Sequence, residues 1–110
     1  MKRKYCLLIS TINNIEEARK IASYLVQNHF VACVNLVPGI ESIYWWENKV
    51  LSDAEILMLM KTEASKIANV KKAIRELHSY DTPELIVVPI RGGMKRYLQW
   101  VSESVRVKSK

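Results

Sequence analysis

Residues 55–62 read Glu-Ile-Leu-Met-Leu-Met-Lys-Thr, with no polar side chain anywhere between Ile56 and Met60. In a β-strand successive side chains point to opposite faces. Ile56, Met58 and Met60 therefore face one way, and Leu57 and Leu59 the other. An antiparallel sheet with helices on one face ordinarily alternates apolar with polar, because its second face is wet. This strand does not alternate, so both of its faces call for burial. Val31 to Val37 is apolar on both sides as well, apart from Asn35. A chain of 110 residues is long enough for one domain and too short for two. The helices such a chain can form do not suffice to cover both faces. Self-association is the economical solution, with a second copy burying what the first leaves open.

The rest of the chain supplies a consistent set of elements. Lys4 to Ser10 reads as a first strand. Asn13 or Asn14 caps a helix whose first turn carries Glu16 and Glu17. Its apolar stripe is Ile15, Ala18, Ala22, Leu25 and His29, widened by Ile21 and Val26, and it ends near Asn28 or His29. Val31 to Val37 forms the next strand, interrupted at Pro38-Gly39 and resumed from Ser42 to Trp46. Glu47-Asn48-Lys49 makes a tight turn in which Asn48 takes a positive φ. The returning strand runs to Thr62. A second helix puts Ile67, Val70, Ile74 and Leu77 on one face, and Asp81-Thr82-Pro83 breaks the chain before a last strand from Glu84 to Ile90. Gly92-Gly93 leads into a final helix with Tyr97, Leu98 and Val101.

The order β-α-β-β-α-β-α over residues 1–110 is a single α+β domain, a ferredoxin-like βαββαβ sandwich with an extra C-terminal helix. A compact body of this length has a radius of gyration of about 13 Å and is roughly 35 Å across. Its central β-hairpin is too long for that body. Residues 31–46 span roughly 50 Å when extended, whereas a helix of similar length covers about 24 Å. The hairpin must overhang, carrying Tyr44, Trp45 and Trp46 with it. Aromatics on a projecting ribbon need a covering surface, which makes them gripping elements of the oligomer.

Charge and motifs exclude several functions. The net charge of +6 arises from Lys2, Arg3 and Lys4 at one end and Arg106, Lys108 and Lys110 at the other; the remaining 11 basic residues balance the 11 acidic ones. A neutral body with no helix-turn-helix, RNA-binding or zinc signature is not that of a nucleic-acid partner. No apolar run approaches the ~20 residues that span a bilayer, and Ser10 and Thr11 cut the first apolar run short of a signal peptide. The expectation is a soluble, cytoplasmic protein. Cys6 and Cys33, both in apolar strand segments, read as reduced core thiols. No nucleophile elbow, phosphate-binding loop or zinc-protease motif is present, so no enzymatic activity is expected. Gly92-Gly93 reads as a turn, although the helix it opens could hold an anion. Met58 and Met60 have the spacing of a copper thioether pair but sit in an apolar strand. His78 is the titratable residue of most interest. It lies at a helix end beside Asp81 and Glu84, where it either caps the helix or ligates a metal, with Cys33 as a second soft donor.

Ala32-Cys33-Val34-Asn35, Ser42-x-Tyr44-x-Trp46, Glu55, Lys61-Thr62, His78-x-Tyr80-Asp81-x-Pro83-Glu84, Pro89, Gly93 and Tyr97-Leu98-x-Trp100 follow one another in a single order. Together they resemble the divalent-cation tolerance (CutA) family, over about residues 5 to 103. The resemblance implies a tight homotrimer similar to the PII signalling proteins. It further implies a cytoplasmic role in tolerance of, or response to, divalent metals, copper above all, with no established catalysis. Of the copper ligands proposed in that family, His78 matches directly and Cys33 loosely, while Ser10 stands where some members carry a cysteine. Copper or another divalent cation would then be weakly bound and not required for folding. An alternative is a PII-like small-molecule sensor, with its ligand between subunits near Tyr80, Glu84 and Trp46. A third is a hydrolase or transferase acting through His78 and Glu84. Tyr44, Trp45, Trp46 and Trp100 are the expected oligomer contacts. The chain's one expected partner is itself, with no nucleic acid and no membrane.

Overall fold

The computed structural model describes residues 4–106; Lys2, Arg3, Lys108 and Lys110 of the basic tails lie outside it. The elements are β1 (Tyr5–Ile12), α1 (Ile15–Gln27), β2 (Cys33–Trp46), β3 (Lys49–Glu63), α2 (Ile67–Leu77, entered through a 3-10 turn), β4 (Ile86–Ile90) and α3 (Lys95–Ser104). The strands form one sheet in the order β2-β3-β1-β4, every pairing antiparallel. No helix among the described residues is long and apolar enough to cross a membrane.

α1 starts where the sequence caps it: the Asn14 side chain accepts from the Glu17 N–H at 2.9 Å. Its end is less ordinary. The Phe30 N–H reaches the Leu25 carbonyl at 3.0 Å and the His29 N–H reaches Val26 at 3.1 Å, the paired bonds of a Schellman cap. His29 occupies the left-handed position with φ 61, so it lies past the helix and not on its stripe. Val26, counted into that stripe, is exposed, and so is Leu77 on α2. The buried positions are Ala18, Ile21 and Leu25 on α1 and Val70, Ala73 and Ile74 on α2.

Those six side chains pack with Cys6, Leu8, Ile12, Ile56, Met58 and Met60 into one core. α1 and α2 thus cover one face of the sheet. Leu57 and Leu59 lie on the other, as the period of two requires. Residues directly paired across a ladder share a face. The pairs Ile9↔Leu59, Val37↔Leu57 and Ile9↔Ile86 therefore extend that apolar surface across all four strands. α3 covers only one end of it, with Val101 and Val105 packed on Ala32 and Tyr5. The Tyr5 hydroxyl meets Ser102 Oγ at 2.8 Å, Ser102 hydrogen-bonds Glu63, and Lys4 pairs with Glu63 at 3.5 Å.

Several boundaries differ from expectation. β2 begins at Cys33 and runs unbroken through Pro38-Gly39 to Trp46. The ladder absorbs the dipeptide as a bulge, passing from Val37↔Leu57 to Ile40↔Glu55, with Gly39 at φ 77. β1 extends two residues further than Ser10, because Thr11 and Ile12 still pair with β3. β4 begins at Ile86, since Glu84 has no partner in β1. Cys33 is half-buried on the sparsely covered face, not a core thiol, whereas Cys6 is buried. The turn holds two left-handed residues, Glu47 at φ 50 and Asn48 at φ 65. β1 stops pairing at Ile56 while β2 and β3 continue to Trp46 and Lys49, so the hairpin projects as a two-stranded arm. The molecule measures 48 × 31 × 22 Å with a radius of gyration of 14.8 Å, larger than a compact body because of that arm.

Candidate functional site

The arm and the α2–β4 loop enclose a groove of about 740 Å³ at the end of the sheet. Its floor follows from strand parity. On β3, Leu51, Asp53 and Glu55 continue the face of Leu57 and Leu59. Their partners on β2 are Tyr44, Ser42 and Ile40. Before the bulge the odd-numbered residues Cys33, Asn35 and Val37 occupy that face; the one extra residue inserted there transfers it to the even-numbered ones. Tyr44 and Trp46 consequently line the groove. Trp45 faces away, 72% exposed, opposite Val50.

The loop closes the other side. Tyr80 reaches across to donate to Glu55 Oε2 at 2.5 Å, which leaves Glu55 only 8% exposed. Tyr44 donates to Asp53, and Thr11 Oγ1 donates to Glu84 Oε1 at 3.2 Å. Asp81 lies on the same wall. Burial, then the hydrogen bond to Glu55, raise the Tyr80 phenol above the ordinary tyrosine range. The Tyr44 phenol is raised first by its bond to Asp53. Both hydroxyls are thus held as proton donors to carboxylates.

His78 stands behind this wall and is not part of the lining. The Tyr80 N–H donates to its Nδ1 at 3.1 Å, so Nδ1 carries no proton and Nε2–H donates to the Thr11 carbonyl at 2.8 Å. The imidazole also packs edge-on to the Tyr80 ring, centroids 4.6 Å apart. It ties α2 to the end of β1 and orients Tyr80. Neither nitrogen keeps a free lone pair for a metal or a proton transfer.

Of the residues expected at a site, Tyr80, Glu84 and Trp46 come together in the groove, joined by Tyr44. His78 and Cys33 do not meet. Cys33 pairs with Lys61, level with Leu7, whereas His78 bonds Thr11, four residues further along β1. Cys33 Sγ has Asn35 Oδ1 at 3.9 Å as its partner. Among the described residues no three His, Cys, Asp or Glu side chains are placed to hold a metal ion, so one chain does not assemble the donor set of a closed metal site. Trp100 lies on α3, its ring 5.5 Å from that of Tyr97 and outside the groove. Sequence reasoning missed Asp53 and Thr11. The signal that could have found Asp53 was the uninterrupted period of two along β3, which places it on the face of Leu57 and Leu59.

Comparison with known proteins adds to this geometry. A family model described as CutA1 divalent ion tolerance protein matches residues 6–104. The chain is 44% identical over 96 residues to the chloroplastic protein CutA 1 of Oryza sativa subsp. japonica, covering 87% of this chain and 54% of that one. It is 40% identical over 98 residues to the divalent-cation tolerance protein CutA of Thermus thermophilus, covering 89% and 95%. The chain thus spans about half the length of the plant relative and nearly all of the bacterial one. The crystal structure of CutA1 from Oryza sativa superposes with a TM-score of 0.91 at 40% identity, covering 96% of this chain and 97% of that one. The Thermus thermophilus structure gives 0.90 at 38%, covering 93% and 99%.

Proposed function

The chain belongs to the CutA1 divalent ion tolerance family, and from that membership we propose that it serves divalent-metal tolerance as a non-catalytic homotrimer in the cytoplasm. In this reading the sheet and helices form a ferredoxin-like sandwich that closes with two copies of itself in the PII manner. One observation carries the self-association: the apolar face built on Leu57 and Leu59 crosses four strands, and α3 covers only its end. Leaving such a face in water is costly. A second copy is the surface of matching chemistry, and the projecting arm reaches beyond the body to meet it. Trp45 and Val50 on the back of the arm, with Trp100 on α3, offer further apolar area for it to bury.

Copper or another divalent cation enters this reading as a weakly held signal, not as a folding cofactor. His78 has both nitrogens engaged, and a bond to metal would have to displace one of those partners. The groove favours a second reading, a PII-like sensor of a small molecule held near Tyr80, Glu84 and Trp46. Its volume of about 740 Å³ lies within the range of small-molecule sites. Native mass spectrometry of protein purified without added metal tests both features at once. The expected result is three copies with substoichiometric metal. A persistent monomer at micromolar concentration would remove the trimer, and one tightly retained metal per chain would remove the weak-signal reading.

A further inference from the structure

We infer that the groove binds an organic cation, a small molecule carrying an ammonium or guanidinium group seated against Glu55 and the aromatic rings of the arm; this rests on the groove being a small-molecule site. The first observation is a buried carboxyl group. Glu55 is 8% exposed, and its hydrogen bond comes from a neutral phenol. Among the described residues the ion pair within 4 Å joins Lys4 to Glu63, at the other end of the sheet. A carboxyl group shielded from water and bonded only to a neutral phenol is a seat for a charge-assisted hydrogen bond from a cation.

The second observation is the sign of the walls. Asp53, Asp81 and Glu84 join Glu55 around the groove, and among the described residues no Lys, Arg or His lines it. An anion entering here would meet repulsion from every side. The Tyr80, Tyr44 and Thr11 hydroxyls are not free for it either, because they already donate to Glu55, Asp53 and Glu84. With their polar ends occupied, Tyr44 and Tyr80 have ring surface left to offer, and Trp46 adds an indole. Aromatic faces beside carboxylates attract organic cations through the ring quadrupole.

The third observation separates an organic cation from a bare metal ion. A metal needs several donors converging within coordination distance, and no such group exists among the described residues. The groove volume of about 740 Å³ suits a molecule of several heavy atoms. An alkylammonium or guanidinium ion needs only one or two carboxylate contacts and fills the remainder with apolar surface against Leu51 and the rings.

Calorimetric titration of the full chain with choline, agmatine and inorganic phosphate, at matched ionic strength, tests this. Choline and agmatine should bind and phosphate should not. Glu55→Gln keeps an acceptor for Tyr80 while removing the charge, and Trp46→Leu removes the indole; each should weaken cation binding by about tenfold or more. Because Trp46→Leu leaves Glu55 untouched, the test survives a folding defect in either variant. Phosphate binding without cation binding would overturn the cation class and leave a small-molecule site in place. Cation binding unchanged in both variants would overturn the assigned seat. No binding of any probe at millimolar concentration, in protein that native mass spectrometry shows to be oligomeric, would overturn the small-molecule reading itself and leave a neighbouring copy as the groove's occupant.

Discussion

His78 and Tyr80 show how a single hydrogen-bond assignment changes a functional reading. By residue type and position His78 is either a helix cap or a metal ligand; by its partners it is a strut between the Tyr80 N–H and the Thr11 carbonyl. His78→Ala should therefore lower stability by about 2 kcal/mol, the order expected for two lost part-buried hydrogen bonds. Copper(II) affinity near neutral pH should change less than about threefold, since coordination at His78 competes with those bonds. Denaturant melts and calorimetric titration on the same variant check both. A variant that keeps its stability and loses its copper reverses the assignment. The tyrosines carry the pH dependence. Tyr80 and Tyr44 are raised in the fold above the ordinary tyrosine value of 10.0, so above about pH 10 the folded chain holds protons that the unfolded chain has released. Stability then falls as pH rises through that window and is unaffected by these groups below it. Denaturant midpoints measured across alkaline pH should fall less steeply in Tyr80→Phe than in the unmodified protein.

At the scale of elements, the hairpin is governed by two short departures from regular strand. The bulge at Pro38-Gly39 decides which aromatics face the groove, and Gly39 holds φ 77 there. A Cβ at Gly39 would meet nothing within 4 Å, so a substitution is opposed by the backbone alone. Gly39→Val should cost about 1–2 kcal/mol for that left-handed angle. At the tip, Glu47 and Asn48 are both left-handed, the arrangement of a two-residue turn that favours Asn-Gly. Glu47→Asn should stabilise by about 0.5–1 kcal/mol. Thermal melts of the two variants should move in opposite directions; an unchanged melting temperature for Gly39→Val would mean that the bulge tolerates a second conformation.

At the scale of the whole molecule, the two faces of β3 make separable demands. Met58 is fully buried against α1 and α2, while Leu59 lies on the face that α1 and α2 do not cover. Met58→Asp places an unpaired carboxylate in the core and should prevent folding at ordinary temperature. Leu59→Asp leaves that core intact. It should give a chain with native-like circular dichroism whose light-scattering mass falls to that of one copy. A Leu59→Asp variant that remains oligomeric would place the subunit contact elsewhere. Trp46→Ala should lower the melting temperature by the loss of an aromatic worth on the order of 2–3 kcal/mol when buried.

The sequence alone determined the element order, the two-faced character of β3 and the overhang of the hairpin. All three follow from local periodicity and from the length per residue of strands and helices, which do not depend on distant contacts. It also brought Tyr80, Glu84 and Trp46 to attention, through ordered motifs and not through geometry. The tertiary structure decided the rest. Parity across β2 was hidden because one inserted residue at Pro38-Gly39 reverses every side chain beyond it, and no local pattern distinguishes a bulge from a break. Asp53, an unremarkable surface-type residue in sequence, became part of a groove floor with Glu55 once Ser42, Tyr44 and Tyr80 were set around them. The role of His78 depended on a carbonyl 67 positions earlier in the chain. Hydrogen-bond partners at such separations are fixed by how elements pack together, and residue type and spacing along the chain do not encode them.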